Sequence, residues 1–344
     1  MSHLQTKRSS RTTITDVARQ AGVSISTVSR VLNQSAPVTS ELESRVKAVI
    51  DELGYRPQTA ARALAGRKTD TIGLLLSEIG PDFYPFMIRG IEAAARENQF
   101  NLLINVAGKD TTGNGVSFTL GEHNTDGVLV FPSSLPDKEI IRLHKNDLPV
   151  VLVQRPSPAG LQIPCVTIEN RCSARNLIDH LIEVHGYRRI AFLAGPEDHE
   201  DANQREFGYR ESLAAHGIPF DPKLKANGRF KWQASHEAVE AWLQDGVEFD
   251  AIFACDDQSA VGAISAVRQA GLSVPEDIAV VGFDDSEISR YLSPPLTTVR
   301  VPIMEIGRAA TLQLINLIQG NVPVFSKEFA TELVIRRSCG CSNV

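Results

Sequence analysis

The sequence predicts an all-α helix-turn-helix head followed by an α/β body of two doubly wound lobes. Residues 1–68 read as short amphipathic helices separated by turn signals. Beyond Lys68, strand-length apolar runs alternate with helical patterns, which implies parallel sheets covered by helices on both faces. Charge divides at the same place: residues 1–68 hold 11 Lys and Arg against 5 Asp and Glu, although the whole chain carries −6. A basic head on an acidic body points to a polyanion met by the head alone.

In the head, Asp16, Val17, Ala18 and Ala21 form one helical stripe, and Val28, Val31 and Leu32 form a second. Gly22-Val23 is the turn between them, and Ser24 is placed to cap the second helix. A third helix is expected from Ser40, where Ser40 and Glu43 have capping-box spacing and Val46, Val49, Ile50 and Leu53 share a face. Gly54 and Pro57 end it.

In the body, apolar runs fall at Ile72 to Leu76, Leu102 to Val106, Val128 to Phe131, Val150 to Val153, Ile190 to Ala194, Ala251 to Ala254 and Ile278 to Phe283. Six strands are expected by about residue 170, after which the pattern restarts at Asn170 to His185. Two similar lobes with a cleft between them follow, with ligands bound beyond the carboxyl ends of the strands.

Composition narrows the function classes. No run approaches the roughly 18 apolar residues that span a bilayer, and Met1 to Arg11 is polar and basic without an apolar signal core, so a cytoplasmic protein is expected. The five cysteines, Cys165, Cys172, Cys255, Cys339 and Cys341, suit a reducing compartment. Cys339 and Cys341 are half of a metal-ligand set, but no second Cys or His pair accompanies them, and they are read as a plain C-terminal tail. No metal, cofactor or catalytic residue is expected. The phosphate-loop, dinucleotide, serine-hydrolase and zinc-protease motifs are missing from the sequence, and adjacent Asp284 and Asp285 do not flank a bond as glycosidase carboxylates must.

The second helix of a helix-turn-helix presents its N-terminal side chains to the major groove. Ile25, Ser26 and Arg30 are the groove-facing candidates, because Arg bonds guanine bidentately, Ser bonds several bases and Ile touches a thymine methyl. Thr15, Ser24, Thr27, Ser29 and Asn33 suit phosphate contacts that set register. A small helical bundle with a solvated polar face has the same parts. The run Asp16-Val17-Ala18-x-x-Ala21-Gly22-Val23-Ser24-x-Ser26-Thr27-Val28-Ser29-Arg30-Val31-Leu32-Asn33 goes further and resembles the signature of the lactose-repressor/galactose-repressor (LacI/GalR) family of transcription regulators. Leu53-Gly54-Tyr55-Arg56-Pro57 followed by Ala60 to Gly66 resembles that family's hinge, which becomes a short helix on operator DNA. The resemblance implies that Leu64 wedges into the minor groove and adds Tyr55 and Ala65 to the DNA-binding set. An apolar wedge parts a base step and bends the duplex, which fits that assignment.

The resemblance continues through Arg89-Gly90-Ile91-Glu92, Asp126-Gly127-Val128, Gly208-Tyr209-Arg210, Val281-Gly282-Phe283-Asp284-Asp285 and Pro294 to Val299. It implies a body similar to periplasmic sugar-binding proteins and the divisions 1–57 (head), 58–69 (hinge and linker) and 70–344 (effector-binding body). The lobes would be about 70–168 with 300–328, and 169–299 with 329–344. Carried over by position, the effector contacts are Phe83, Tyr84, Ser133, Gln154, Arg205, Phe230, Asp256 and Asp284. Carboxylates, amides and Arg bond hydroxyl groups and aromatic faces cover a sugar ring. Plainer readings stand beside these: Asp284 as a turn cap, Arg205 paired with Glu206 or Asp201, the aromatics as core.

Two departures matter. Ala107 to Asn124 carries Gly108, Gly113, Gly115 and Gly121 where the family has a longer helix, and Arg337 to Val344 lacks the leucine heptads of a tetramerising tail. The implied partners are double-stranded operator DNA, a small-molecule effector, expected to be a sugar, and a second copy of the chain in a homodimer, with no membrane. A transport protein, or a nucleoside, purine or protein co-regulator as effector, are the alternatives.

Overall fold

The computed structural model describes residues 12–33, 36–55, 68–80, 83–106, 120, 124–322 and 324–342. The expected hinge with Leu64 and Ala65, and the glycines Gly108, Gly113, Gly115 and Gly121, lie outside the described residues. The chain divides between Thr69 and Asp70 into two compact units.

The smaller unit contains α1 (Ile14–Ala21), α2 (Ile25–Asn33) and α3 (Ser40–Leu53). Thr13 starts α1: its hydroxyl accepts the Asp16 N–H while the Asp16 carboxylate accepts the Thr13 N–H at 3.0 Å, which satisfies donors that a helix start leaves bare. Gly22 ends α1 in the left-handed conformation, and the Ser24 hydroxyl accepts the Thr27 N–H at 3.1 Å to start α2. The expected box at Ser40 is not the cap of α3. Thr39, one residue earlier, has the extended backbone a cap requires and accepts the Leu42 N–H, while Ser40 is already helical. Val17, Ala18, Ala21, Val28, Val31, Val46, Val49 and Tyr55 form one core, which holds together helices too short to persist alone.

The larger unit has two parallel sheets. The first, in the order β11-β5-β4-β3-β1-β2, takes β1 (Thr71–Leu76), β2 (Asn101–Val106), β3 (Gly127–Val130), β4 (Val150–Val153), β5 (Cys165–Ile168) and β11 (Ser326–Phe329). Five of these strands, not six, precede residue 170. The sixth is β11, which pairs Ser326 to Phe329 with Cys165 to Ile168 at an edge. Its sequence Ser-Lys-Glu-Phe is largely exposed and offers no apolar run to announce it. The second sheet, in the order β7-β6-β8-β9, takes β6 (Ile190–Ala194), β7 (Lys225–Asn227), β8 (Ala251–Ala254) and β9 (Ala279–Val281).

Alternate residues of the central strands enter different cores. Leu74, Leu129 and Val151 join Phe192 and Phe253 in one cluster that runs through both sheets. Leu75, Val130 and Leu152 cover the other face of the first sheet, and Leu193 and Ile252 that of the second. The covering helices include α4 (Phe83–Glu97), α5 (Asp137–Lys145), α6 (Asn170–His185), α7 (Glu200–Ala215), α8 (Trp232–Gln244), α9 (Asp257–Gln269) and α10 (Ile303–Ile318). Helix α4 packs on α10, α6 on α7, and α8 on α9. The chain leaves the first sheet after β5, returns after β10 (Thr298–Arg300) and leaves again after β11. At this crossing β10 pairs antiparallel with β12 (Glu332–Val334), with Val299 opposite Leu333. Among the described residues no helix is long and apolar enough to cross a membrane.

Candidate functional site

Loops beyond the carboxyl ends of β1, β3, β4, β8 and β9 converge on one cavity of about 820 Å³. Of the residues expected to contact a ligand, Phe83, Tyr84, Gln154, Arg205, Phe230, Asp256 and Asp284 line it. Ser133 does not. The left-handed turn there (φ 55°) leaves Ser133 exposed with its hydroxyl 3.5 Å from the Asp198 carboxylate, and Pro132 forms the wall instead.

Arg205 organises the polar side. Its Nε donates to Asn170 Oδ1 at 2.9 Å, Nη1 to the Cys255 carbonyl at 2.6 Å and Nη2 to Asp284 Oδ1 at 3.2 Å. The guanidinium carbon lies 3.7 Å from the centre of the Phe283 ring, a cation–π seat. Arg205 therefore pairs with Asp284 rather than Glu206, which binds Arg210 and Lys225 instead. With three of five N–H groups used, two remain to donate.

The carboxyl groups of Asp201, Asp256, Asp257 and Asp284 share the cavity wall with the buried Arg205 guanidinium. Burial pushes Asp201 up to about 6 and Asp257 up to about 7. Burial also raises Asp256, and it raises Asp284 well above the carboxylate range although Arg205 pulls the other way. Such a cluster holds protons near neutrality and has carboxyl oxygens available to accept hydroxyl donors. Asp256 is also a cap, accepting the Ser259 N–H at 3.0 Å at the start of α9.

Two buried polar atoms on the cavity wall have no partner among the described residues: Gln154 Nε2 and His199 Nδ1. Burial, reinforced by Arg205, pushes His199 down to about 4, so its imidazole is neutral near pH 7. A ligand with several hydroxyls supplies what both lack. Apolar faces share the cavity with them. Phe83 meets Tyr84 edge-on at 5.7 Å, Tyr84 lies 6.2 Å from Phe131, and Phe230 meets His199 edge-on at 5.1 Å.

In the head, Ile25 is 47% exposed, and Thr15, Ser24, Ser26 and Arg30 are exposed with it. Thr27 and Ser29 are half-buried, and the Asn33 side chain lies outside the described residues. The Ser24 hydroxyl is 2.7 Å from that of Ser26 and 2.8 Å from that of Thr27, so these residues preorganise the start of α2. Tyr55, expected at DNA, is buried in the head core, because the chain folds back after Gly54 with the Tyr55 N–H bonded to the Ile50 carbonyl. Its ring packs in that core.

Residues 13–58 match the family described as bacterial regulatory proteins, lacI family, and residues 178–339 match the periplasmic binding protein-like domain. Over 334 residues the chain is 34% identical to the HTH-type transcriptional repressor CytR of Escherichia coli strain K12, covering 96% of this chain and 97% of that one. The chain belongs to the lacI family of bacterial regulatory proteins. It is 36% identical over 309 residues to the HTH-type transcriptional regulator RegA of Clostridium saccharobutylicum, covering 89% of this chain and 92% of the relative. A solved complex of the transcriptional regulator CelR with cellobiose superposes with a TM-score of 0.69 at 32% identity, covering 95% of this chain and all (100%) of that one. The Lac repressor dimer bound to operator and the anti-inducer ONPF gives 0.79 at 26% identity, covering 96% and 99%. The lacI-family chain is thus a DNA-binding transcription regulator and not an enzyme.

Several residues of this lacI-family regulator were not expected at the ligand cavity from sequence. His199 and Asp201 reach the cavity because α7 begins there, and Asp201 lies one helical turn before Arg205, a spacing that was visible. Asp257 accepts from the Ser286 N–H at 2.7 Å and the Thr298 hydroxyl at 2.7 Å. Asp285, 1% exposed at its side chain, binds Arg300 Nε at 2.7 Å and Arg336 Nη2 at 2.5 Å. Burial raises its carboxyl, yet the bonds from Arg336 and Arg300 hold it below its ordinary value. Asp285 thereby ties the cavity turn to the strands that cross between the sheets.

Proposed function

We propose that this lacI-family regulator is a cytoplasmic repressor that binds a nearly palindromic operator as a homodimer and is controlled by a sugar held in the cavity. The reading rests on the buried Arg205–Asp284 pair, which stands in the same cavity as the unpartnered Gln154 amide and the Phe83, Tyr84 and Phe230 rings. That donor and acceptor set fits a polyhydroxylated ring with one apolar face. The cellobiose complex of the similar CelR supports the same ligand class.

The head, 1–57, would read base edges through Ile25, Ser26 and Arg30, and the hinge, 58–69, would bring Leu64 and Ala65 to the minor groove. Thr15, Ser24, Thr27, Ser29 and Asn33 would contact phosphates. Two heads on a dimer would meet half-sites about 34–36 Å apart or a multiple of that. The body, 70–344, would respond to the sugar by a change in lobe closure, so ligand and DNA affinities must be coupled reciprocally.

The test is fluorescence anisotropy of the full chain with DNA from upstream of its own gene, across a panel of mono- and disaccharides and nucleosides. Saturable binding to a palindrome, shifted at least about tenfold by one sugar, is expected. Binding no tighter than to unrelated duplex at the same salt would overturn the operator claim. A shift by nucleosides alone would overturn the sugar.

A further inference from the structure

Two ligand pairs far apart in the chain meet at the end of α6. His180 and His185 come from that helix, and Cys339 and Cys341 from the segment after β12. Their ligand atoms all lie within 4.8 Å of one another. His180 Nε2 is 3.6 Å from Cys339 Sγ and 3.8 Å from Cys341 Sγ, and His185 Nε2 is 3.4 Å from Cys341 Sγ. In a tetrahedral zinc site with bonds of about 2.3 Å to sulfur and about 2.0–2.1 Å to nitrogen, a sulfur and a nitrogen ligand stand about 3.6 Å apart. The three separations bracket that value.

Weak S–H···N and N–H···S hydrogen bonds can link these groups in pairs, and Cys339 Sγ also lies 3.4 Å from the Arg336 carbonyl oxygen. Cys341 has one S–H but faces two imidazole nitrogens, and His180 Nε2 faces two sulfurs. A single cation at the centre uses all four. The surroundings also hold the ligands in place. The His185 ring stacks on Tyr187 at 5.4 Å, and the Tyr187 hydroxyl donates to the Cys339 carbonyl at 3.2 Å. Cys339 is fully buried, and the Thr297 hydroxyl, which accepts the Arg336 N–H at 2.8 Å, points its own hydrogen at Cys339 Sγ from 3.1 Å. Gly340, between the cysteines, has φ of 106°, where an L side chain is strained.

We propose that His180, His185, Cys339 and Cys341 form a closed Cys2His2 site for a zinc-type divalent ion that fastens the C-terminal segment to α6. Four protein ligands leave no open position, so the ion is structural. It anchors the segment that carries Ser338, whose hydroxyl bonds the Val280 carbonyl, and Arg336, which bonds Asp285. Ion binding thereby stabilises the C-terminal side of the second sheet.

The full chain, purified without chelator, should contain one zinc per chain by elemental mass spectrometry. After stripping, Co²⁺ should titrate to one equivalent with the intense visible absorption of a tetrahedral dithiolate complex. Cys341→Ser and His185→Asn should each weaken Co²⁺ binding by more than about 100-fold, beyond the 10–100-fold that loss of an outer partner costs. Chelator should lower the thermal midpoint of the parent chain but not that of a chain carrying both Cys341→Ser and His185→Asn. Absence of bound zinc together with a weak six-coordinate cobalt spectrum would overturn the site. So would equal cobalt affinity of parent and variants. If the variants fail to fold, the spectrum of the parent chain decides.

Discussion

Arg205 Nη2 donates to Asp284 Oδ1 across 3.2 Å, although the two residues stand 79 positions apart in the chain. Their side chains are only 4% and 17% exposed, and neither sheet alone supplies both the pair and its cavity. The pair places the one buried guanidinium of the cavity against a carboxyl group that burial drives toward the neutral form. Ligand recognition and stability therefore share this contact.

Arg205→Gln should abolish measurable sugar binding while leaving unliganded DNA binding within a few-fold. Removing one partner of a buried pair costs about 3–5 kcal/mol when the other stays charged. Asp284 can take a proton here, so the destabilisation should be smaller at pH 5.5 than at pH 7.5. Urea unfolding at both values checks this, and equal losses would count against the protonation argument.

Asp201 and His199 should give opposite pH dependences. Burial raises Asp201 to about 6 from 3.8, so its contribution to stability is full below 3.8 and is lost as pH rises through about 6. His199 is depressed to about 4 from 6.5, so its contribution is full above 6.5 and is lost as pH falls through about 4. Relative to the parent chain, Asp201→Asn should therefore gain stability as pH rises from 5 to 7, and His199→Gln should gain as pH falls. Denaturant midpoints across that range measure both, and parallel curves for parent and variants would refute the assignment.

Gly208→Ala should destabilise the body by about 1–3 kcal/mol, the usual cost of overpacking. A Cβ at Gly208 would lie 2.2 Å from the Arg171 carbonyl oxygen, where α6 and α7 pack closely. Differential scanning calorimetry should show a lowered midpoint. An unchanged one would mean that the helices separate without cost.

Arg30→Ala should remove about 1–3 kcal/mol of discrimination between the operator and a singly altered site. Leu64→Ala should weaken operator binding by well over tenfold. Arg30→Ala should leave the unfolding midpoint unchanged, since Arg30 is exposed. Gel shifts with matched and altered duplexes separate the two effects, and unchanged operator affinity in Leu64→Ala would sink the wedge.

The head was legible in the sequence because its determinants are local. The Ala18 and Ala21 contacts, the left-handed Gly22 and the Ser24 cap act within a dozen residues, and even the misplaced cap of α3 moved only from Ser40 to Thr39. The apolar strands of the body were equally plain, as buried parallel strands are apolar on both faces. What the sequence did not disclose depends on sheet order. β11 is polar at an edge and becomes a strand only by pairing with β5. Ser133 turned out toward Asp198, and Tyr55 turned into the head core. His199 and Asp201 joined Asp284 because the parallel crossovers bring the strand ends together. His180 and His185 met Cys339 and Cys341 across more than 150 residues by the same means. Amino-acid pattern determines which segments are helix, strand or turn, through contacts a few residues apart. Which side chains share a cavity or a metal is decided only by tertiary packing, because no local interaction encodes the distance between residues that the chain separates.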